Sequence, residues 1–234
     1  MDTNETKEGT NRRNFLGKVA TGAATIGLAS IAPSLSAFAG ETKFDHKVYG
    51  DPEDMFKKIN GKHRVVFDAP KPHELMPFVW PRVFLLTNGA TGTPEKDCSV
   101  VVVLRHSAIG YAFEDKIWAK YNFGKVFEAP DPETKEPSMR NPFWKPKAGA
   151  YSVPGFGEVQ IGIDQLQQSG VMFCVCDAAM TVYSAVVAQG MNMKAEDVKK
   201  DWLTGLLPGI QPVPSGVWAL GRAQEKQCAY IFAG

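Results

Sequence analysis

Apolar residues along this chain fall into short blocks that switch between two periods, and the switching predicts the architecture. Residues 64–68 (Arg-Val-Val-Phe-Asp) read as a first strand, closed by Ala69-Pro70. Residues 98–104 are apolar at nearly every position, as a strand buried on both faces must be. Further strands are predicted at 171–176, 210–213 and 228–232. Between them the period lengthens to that of a helix. Apolar residues at 75, 79, 83 and 86 predict a helix over 72–86. Pro77 and Pro81 interrupt it, so a kinked or two-piece helix is expected, ending at Asn88-Gly89. Phe113, Ile117 and Tyr121 form the stripe of the next helix, with Gly124 past its end. Helices are also expected over 159–169, through Val182 and Val186 as far as Gly190, around Val198 and Trp202, and from Ser215 through Leu220.

Strand and helix therefore alternate, which is the signature of an α/β fold with a mostly parallel sheet and helices on both faces. Two stretches fall outside the rhythm. Residues 40–62 read as an irregular lead-in with a helical patch from Glu53 to Ile59. Residues 128–158 carry six prolines and read as an inserted loop, too long for a simple connector. Phe143, Trp144, Tyr151 and Phe156 within it suit either a lid, an oligomer contact or pins that fasten the loop to its own domain, the last being preferred.

The first 39 residues have a different character. Asn11-Arg12-Arg13-Asn14-Phe15-Leu16-Gly17-Lys18 precedes a soft apolar run from 19 to 38, and Ala37-Phe38-Ala39 has the small-x-small pattern of a cleavage site. This resembles a twin-arginine (Tat) signal peptide, with Gly40 as the expected mature N-terminus and the periplasm or another extracytoplasmic space as destination. Gly22, Gly27 and Pro33 make the run a poor bilayer span, which needs about 20 predominantly apolar residues. Of 26 basic and 25 acidic side chains, four basic and three acidic ones lie in 1–39, leaving 22 of each. A balanced charge offers no electrostatic footprint for nucleic acid or, after cleavage, for a membrane surface.

Four cysteines remain: Cys98, Cys174, Cys176 and Cys228. Cys176 ends the predicted strand 171–176, and sites in open α/β sheets form beyond the carboxyl ends of strands. With Asp177-Ala178-Ala179 opening a helix, the backbone dipole and free N–H groups favour the thiolate there, whereas the charge of Asp177 opposes it. A buried, inert cysteine is the competing reading. Cys174 shares a strand face with Cys176. Cα atoms two apart in a strand lie about 6.6 Å from each other, near the limit for a disulfide, so Cys174 is expected to be core. Cys98 and Cys228 each open a strand and could pair if those strands are neighbours. His106 ends the second strand, on the same side of a parallel sheet as Cys176, where a histidine can pair with a thiol, act as general acid or base, cap a helix or ligate a metal. Arg105 beside it could neutralise a sulfur oxyanion. No C-x-x-C or H-x-x-x-H pair, phosphate-binding glycine loop, nucleophile elbow or haem-attachment motif is present, so no metal or cofactor is expected.

The segment Gly170-Val-Met-Phe-Cys-Val-Cys176-Asp-Ala-Ala-Met180, followed by Leu207-Pro-Gly-Ile210, Val213-Pro-Ser-Gly-Val-Trp-Ala-Leu220 and the closing Ala229-Tyr-Ile231, resembles the DsrE/DsrF-like family of sulfur-relay and sulfur-oxidation proteins. The resemblance covers residues 63–127 and 160–234, and it makes 128–158 an insertion. It implies a three-layer α/β sandwich, a sulfur-carrying cysteine at Cys176 with His106 nearby, sulfur-carrier proteins or small sulfur species as partners, and a homo-oligomer. Export departs from the family's many cytoplasmic members. The expectation is thus an exported protein handling sulfane sulfur. The alternative is a non-enzymatic small-ligand-binding or assembly module with structural cysteines.

Overall fold

The computed structural model describes residues 44–234; the export signal expected over 1–39 and its cleavage before Gly40 lie outside the described residues. Two short helices, α1 (His46–Tyr49) and α2 (Glu53–Phe56), lead in. Then come β1 (His63–Ala69), α3 (Met76–Ala90) and β2 (Cys98–Leu104). A 3-10 turn (His106–Ala112), α4 (Asp115–Tyr121) and α5 (Phe123–Val126) follow, with a two-residue-stranded hairpin of β3 (Ser152–Val153) and β4 (Gly157–Glu158). The chain closes with α6 (Ile163–Gln168), β5 (Met172–Cys176), α7 (Asp177–Met191), α8 (Ala195–Leu203), β6 (Ile210–Val213), α9 (Gly216–Glu225) and β7 (Ala229–Phe232).

Five strands form one sheet in the order β6-β5-β2-β1-β7, and every neighbouring pair is parallel. Strand side chains alternate between faces. Val65, Phe67, Val102, Leu104, Phe173 and Val175 enter a core shared with α3, α7 and α8. Val66, Val101, Val103, Cys174 and Val213 enter a second core against α2 and α9. Two covered faces explain why β2 reads as an unbroken apolar run, and the result is a three-layer α/β sandwich.

The connections leave the sheet in a consistent way. Those after β1, β2 and β5 cross the first face, and the one after β6 crosses the other as α9, which spans all five strands to reach the far edge at β7. At the carboxyl ends of the neighbours β5 and β6 the chain thus departs to opposite faces, which is the topology of the switch points where α/β proteins place their sites.

Several expectations are corrected. The first long helix is neither two-piece nor finished at Asn88-Gly89: α3 runs unbroken through Pro81, because Pro77 occupies its first turn, where no N–H is needed. Pro81 then forgoes one hydrogen bond, and the left-handed turn falls at Gly92 (φ 92°). Asn122 at φ 54°, not Gly124, ends α4. Gly124 lies inside α5 with a Ser138 carbonyl 2.3 Å from where a Cβ would sit, so it serves close packing. The helix expected over 159–169 shortens to α6, Val159 and Ile161 being buried on the approach to it. Cys98 and Cys228 do not pair: β1 stands between β2 and β7, and all four cysteines are free thiols.

The 128–158 excursion is fastened to its own domain. Phe143 is fully buried and stacks on Phe78 at 4.1 Å and on Tyr151 at 5.3 Å. The Asn141 side-chain amide donates to the Tyr111 and Phe113 carbonyls, both at 2.9 Å, which replaces missing strand pairing. Phe156, at the hairpin tip, stays exposed.

Candidate functional site

β5 passes into α7 without a loop, because Cys176 is both the last residue of the strand and the N-cap of the helix. Its backbone is extended (φ −72°, ψ 108°), and its Sγ accepts the Ala179 N–H at 3.2 Å. Sulfur here takes the place of the serine or aspartate oxygen that usually satisfies a first-turn N–H. The N–H of Gly216, which opens α9, is near enough to lower the thiol's pKa, while the hydrogen bond to the sulfur comes from Ala179. The thiol therefore sits buried at the carboxyl end of β5, beside β6, near the positive ends of two helices of 15 and 10 residues.

Opposing effects act on it. Cys176 is 6% exposed. Burial pushes its pKa up and is the largest influence; the N–H groups of Ala179, Gly216 and Ala178 pull it down, and Asp177 pushes it up. Asp177 is itself paired with Lys199 of α8, 2.8 Å away, and lies close enough to Tyr49 of α1 to raise that hydroxyl's pKa together with burial, the larger cause.

A second group of side chains adjoins the thiol. Asp68, near the end of β1, is 1% exposed. It accepts a two-pronged contact from Arg105, Nε at 2.6 Å and Nη2 at 2.9 Å, and the Tyr230 hydroxyl donates to its Oδ2 at 2.8 Å. These hydrogen bonds to Asp68 raise the pKa of Arg105 and of Tyr230. Three neighbouring strands, β2, β1 and β7, thus each contribute one member. The packing leaves no slack: a Cβ on Gly216 would lie 2.5 Å from the Arg105 Cβ, so the glycine that opens α9 lets the helix rest on the arginine stem.

His106 emerges at the same end of the sheet as Cys176, but its contacts are elsewhere. It is exposed, takes a left-handed backbone (φ 49°), and its ring meets the Tyr183 hydroxyl at 3.3–3.4 Å and the Ser107 hydroxyl at 3.4 Å. Arg105, rather than His106, is the β2 residue whose charge interacts with Cys176. Cys174 is core, as expected, with burial pushing its pKa up strongly. Sequence reasoning missed Asp68 and Tyr230. The available signal was a lone carboxylate at the end of an apolar strand, for which a buried charge implies a partner.

A separate cleft of about 1230 Å³ lies between the excursion and the segment after β1, walled by Leu75, Tyr111, Trp144 and Tyr151 with Lys135 and Arg140 at its polar side. Among the described residues no three His, Cys, Asp or Glu side chains converge as a metal centre.

Comparison with known proteins matches no family model and no curated protein. Three solved chains match, among them a protein of unknown function, MTH1491, from Methanobacterium thermoautotrophicum. It is 16% identical, covering 73% of this chain and 99% of that one, with a TM-score of 0.38. A likeness at that level bears on neither mechanism nor ancestry.

Proposed function

We propose that this chain is an exported DsrE-like protein that receives and passes on sulfane sulfur at Cys176. One observation carries the reading: the thiol caps α7, accepting the Ala179 N–H, beside the start of α9 and a clamped arginine. The backbone N–H groups offset part of the burial that raises the thiol's pKa, and they favour thiolate and persulfide alike, both being sulfur anions. In the step envisaged, the Cys176 thiolate attacks the outer sulfur of thiosulfate. A new S–S bond forms on Cys176 and the donor's S–S bond breaks. Its electron pair leaves with sulfite, and Cys176 remains as the persulfide anion. The reverse attack, by an acceptor thiolate on the outer sulfur, returns Cys176 to thiolate. Small sulfur anions or sulfur-carrier proteins are the partners in this reading. Export through the Tat pathway belongs to the proposal, on the Arg12-Arg13 pattern; N-terminal sequencing of the exported protein tests it by whether the chain starts at Gly40. Self-association also belongs to it, supported by the uncharged edge strand β7, whose Tyr230, Ile231 and Phe232 are 46%, 39% and 53% exposed; light scattering on the purified protein tests it.

The deciding experiment is intact mass with peptide mapping before and after incubation with polysulfide or thiosulfate. The expected result is added sulfur on Cys176 that reductant removes, and none on Cys176→Ser. An unchanged mass in the wild-type protein would end the sulfur reading. The second reading, a non-enzymatic ligand-binding or assembly module, is favoured by the cleft under the excursion and by the burial of Cys176. It predicts that Cys176→Ser behaves as wild type.

A further inference from the structure

We propose that Arg105 is the positioning residue that supplies the counter-charge for the sulfur anion on Cys176, and that Asp68 and Tyr230 hold it in place for that role. The inference rests on the sulfur-handling reading of Cys176. Strand register brings the two residues together. Leu104 of β2 pairs with Val175 of β5, so the next residues along, Arg105 and Cys176, are lateral neighbours. Arg105 lies on the α9 side, where its stem packs on Gly216, and Cys176 sits beside it at the turn into α7, in contact with the core on the other face.

The arginine is also oriented for the task. Its Nε and Nη2 are committed to Asp68, which fixes the plane of the guanidinium. Nη1 has no hydrogen-bond partner among the described residues, and the side chain is 27% exposed, so part of its charge remains unspent. Gly216 rests on its stem, and the N–H of the same glycine is among the groups that lower the pKa of Cys176, so the first turn of α9 adjoins both. Arg105 is held protonated first by its hydrogen bond to Asp68, and the neighbouring Cys176 adds to this in a smaller way.

The other charged groups around the sulfur are accounted for. From α7 comes Asp177, whose charge is met by Lys199 of α8. On β5 itself Cys174 is sealed and protonated. The β6–α9 junction contributes Val213, Pro214, Ser215 and Gly216, none of them charged. On β1 and β7, Asp68 and Tyr230 engage Arg105 rather than the thiol. That leaves Arg105 as the cation available to the sulfur. A purely structural role, in which the cluster only ties β2, β1 and β7 together, would leave the thiol's acidity independent of it.

The test is the rate of iodoacetamide alkylation of Cys176 as a function of pH, followed by peptide mapping on the full chain, with sulfur loading from polysulfide measured in parallel. Arg105→Gln should move the rate–pH profile to higher pH and slow alkylation at pH 7 by about tenfold, the effect of removing one opposite charge at close range. Because Arg105→Gln alone strands the buried Asp68, the double variant D68N/R105Q, which keeps a neutral hydrogen-bonded pair, provides the folded control and should shift the profile in the same direction. Arg105→Lys should restore most of the wild-type rate, and Tyr230→Phe should give a smaller slowing than Arg105→Gln. A profile for folded D68N/R105Q that superimposes on wild type overturns the inference while leaving the sulfur reading intact. A wild-type thiol that alkylates in an Arg105-dependent way but takes up no sulfur overturns the sulfur reading and leaves the counter-charge standing. A thiol inert at every pH until unfolding overturns both.

Discussion

Cys174 and Cys176 are two residues apart on one strand and are both free thiols, yet they pack in different cores and their surroundings differ in kind. Cys174 is flanked in register by Val103 on β2 and Gln211 on β6, and packs into the core under α9 with Val66 and Val101. Nothing offers its sulfur an N–H, and burial alone makes it a very weak acid. Cys176 stands one pleat further, where the strand ends. The backbone turns into α7, whose Ala179 N–H bonds the sulfur, and the chain after β6 turns the other way into α9, whose first N–H also lowers the thiol's pKa. The contrast teaches that the end of the strand, and not the cysteine itself, makes the candidate site.

The comparison breaks most sharply under sulfur loading. Cys176→Ser should abolish uptake, whereas Cys174→Ser should retain it, since a sealed thiol receives nothing; peptide mapping of both variants reads the contrast directly. The next largest effect is on stability and falls on the other cysteine. Cys174→Ser places a hydroxyl where the thiol had no hydrogen-bond partner, at a cost of about 1–3 kcal/mol by urea unfolding.

A pH series sharpens the same difference. The pKa of Cys174 is raised by folding, so its neutral form is favoured in the native state and its contribution is complete below the unfolded thiol pKa. That contribution is lost as pH climbs above about 8.5 toward the folded value, because only the unfolded chain then releases the proton. The urea midpoint should therefore fall between about pH 8 and pH 10, and fall less in Cys174→Ser. Cys176 alkylation should rise over the same range, its thiol pKa also being raised by burial. The smallest expected effect comes from Ser215→Ala. Ser215 Oγ accepts the Trp218 N–H at 3.2 Å, and losing this N-cap should cost about 1 kcal/mol while loosening the α9 end that covers the thiol.

Much of this was readable from residue order. The uninterrupted apolar run of β2 and the alternation with helical stripes predict a sheet covered on both faces, because period and burial are local consequences of side-chain direction. The placement of Cys176 at a strand end, ahead of a helix opening with Asp177-Ala178-Ala179, was readable for the same reason. Boundaries were less so. Pro81 looked like a break in α3, but packing against β1 and β2 outweighs one missing hydrogen bond. Gly124 looked like a helix stop, although its role depends on Ser138, which arrives from the excursion.

What only the tertiary structure decided is the company the thiol keeps. Arg105 and Asp68 are 37 positions apart, and Tyr230 and Asp68 are 162 apart. No local pattern announces such meetings; they follow from the order in which the strands line up. The sheet order placed β1 between β2 and β7, which kept Cys98 from Cys228 and joined Asp68 to partners on either side. The sequence alone thus determined the layers, the strand faces and the residue at the end of β5, since those depend on neighbours a few positions away. Lateral strand order and helix crossing determined which charges meet there, because contacts between distant segments exist only once the whole sheet has formed.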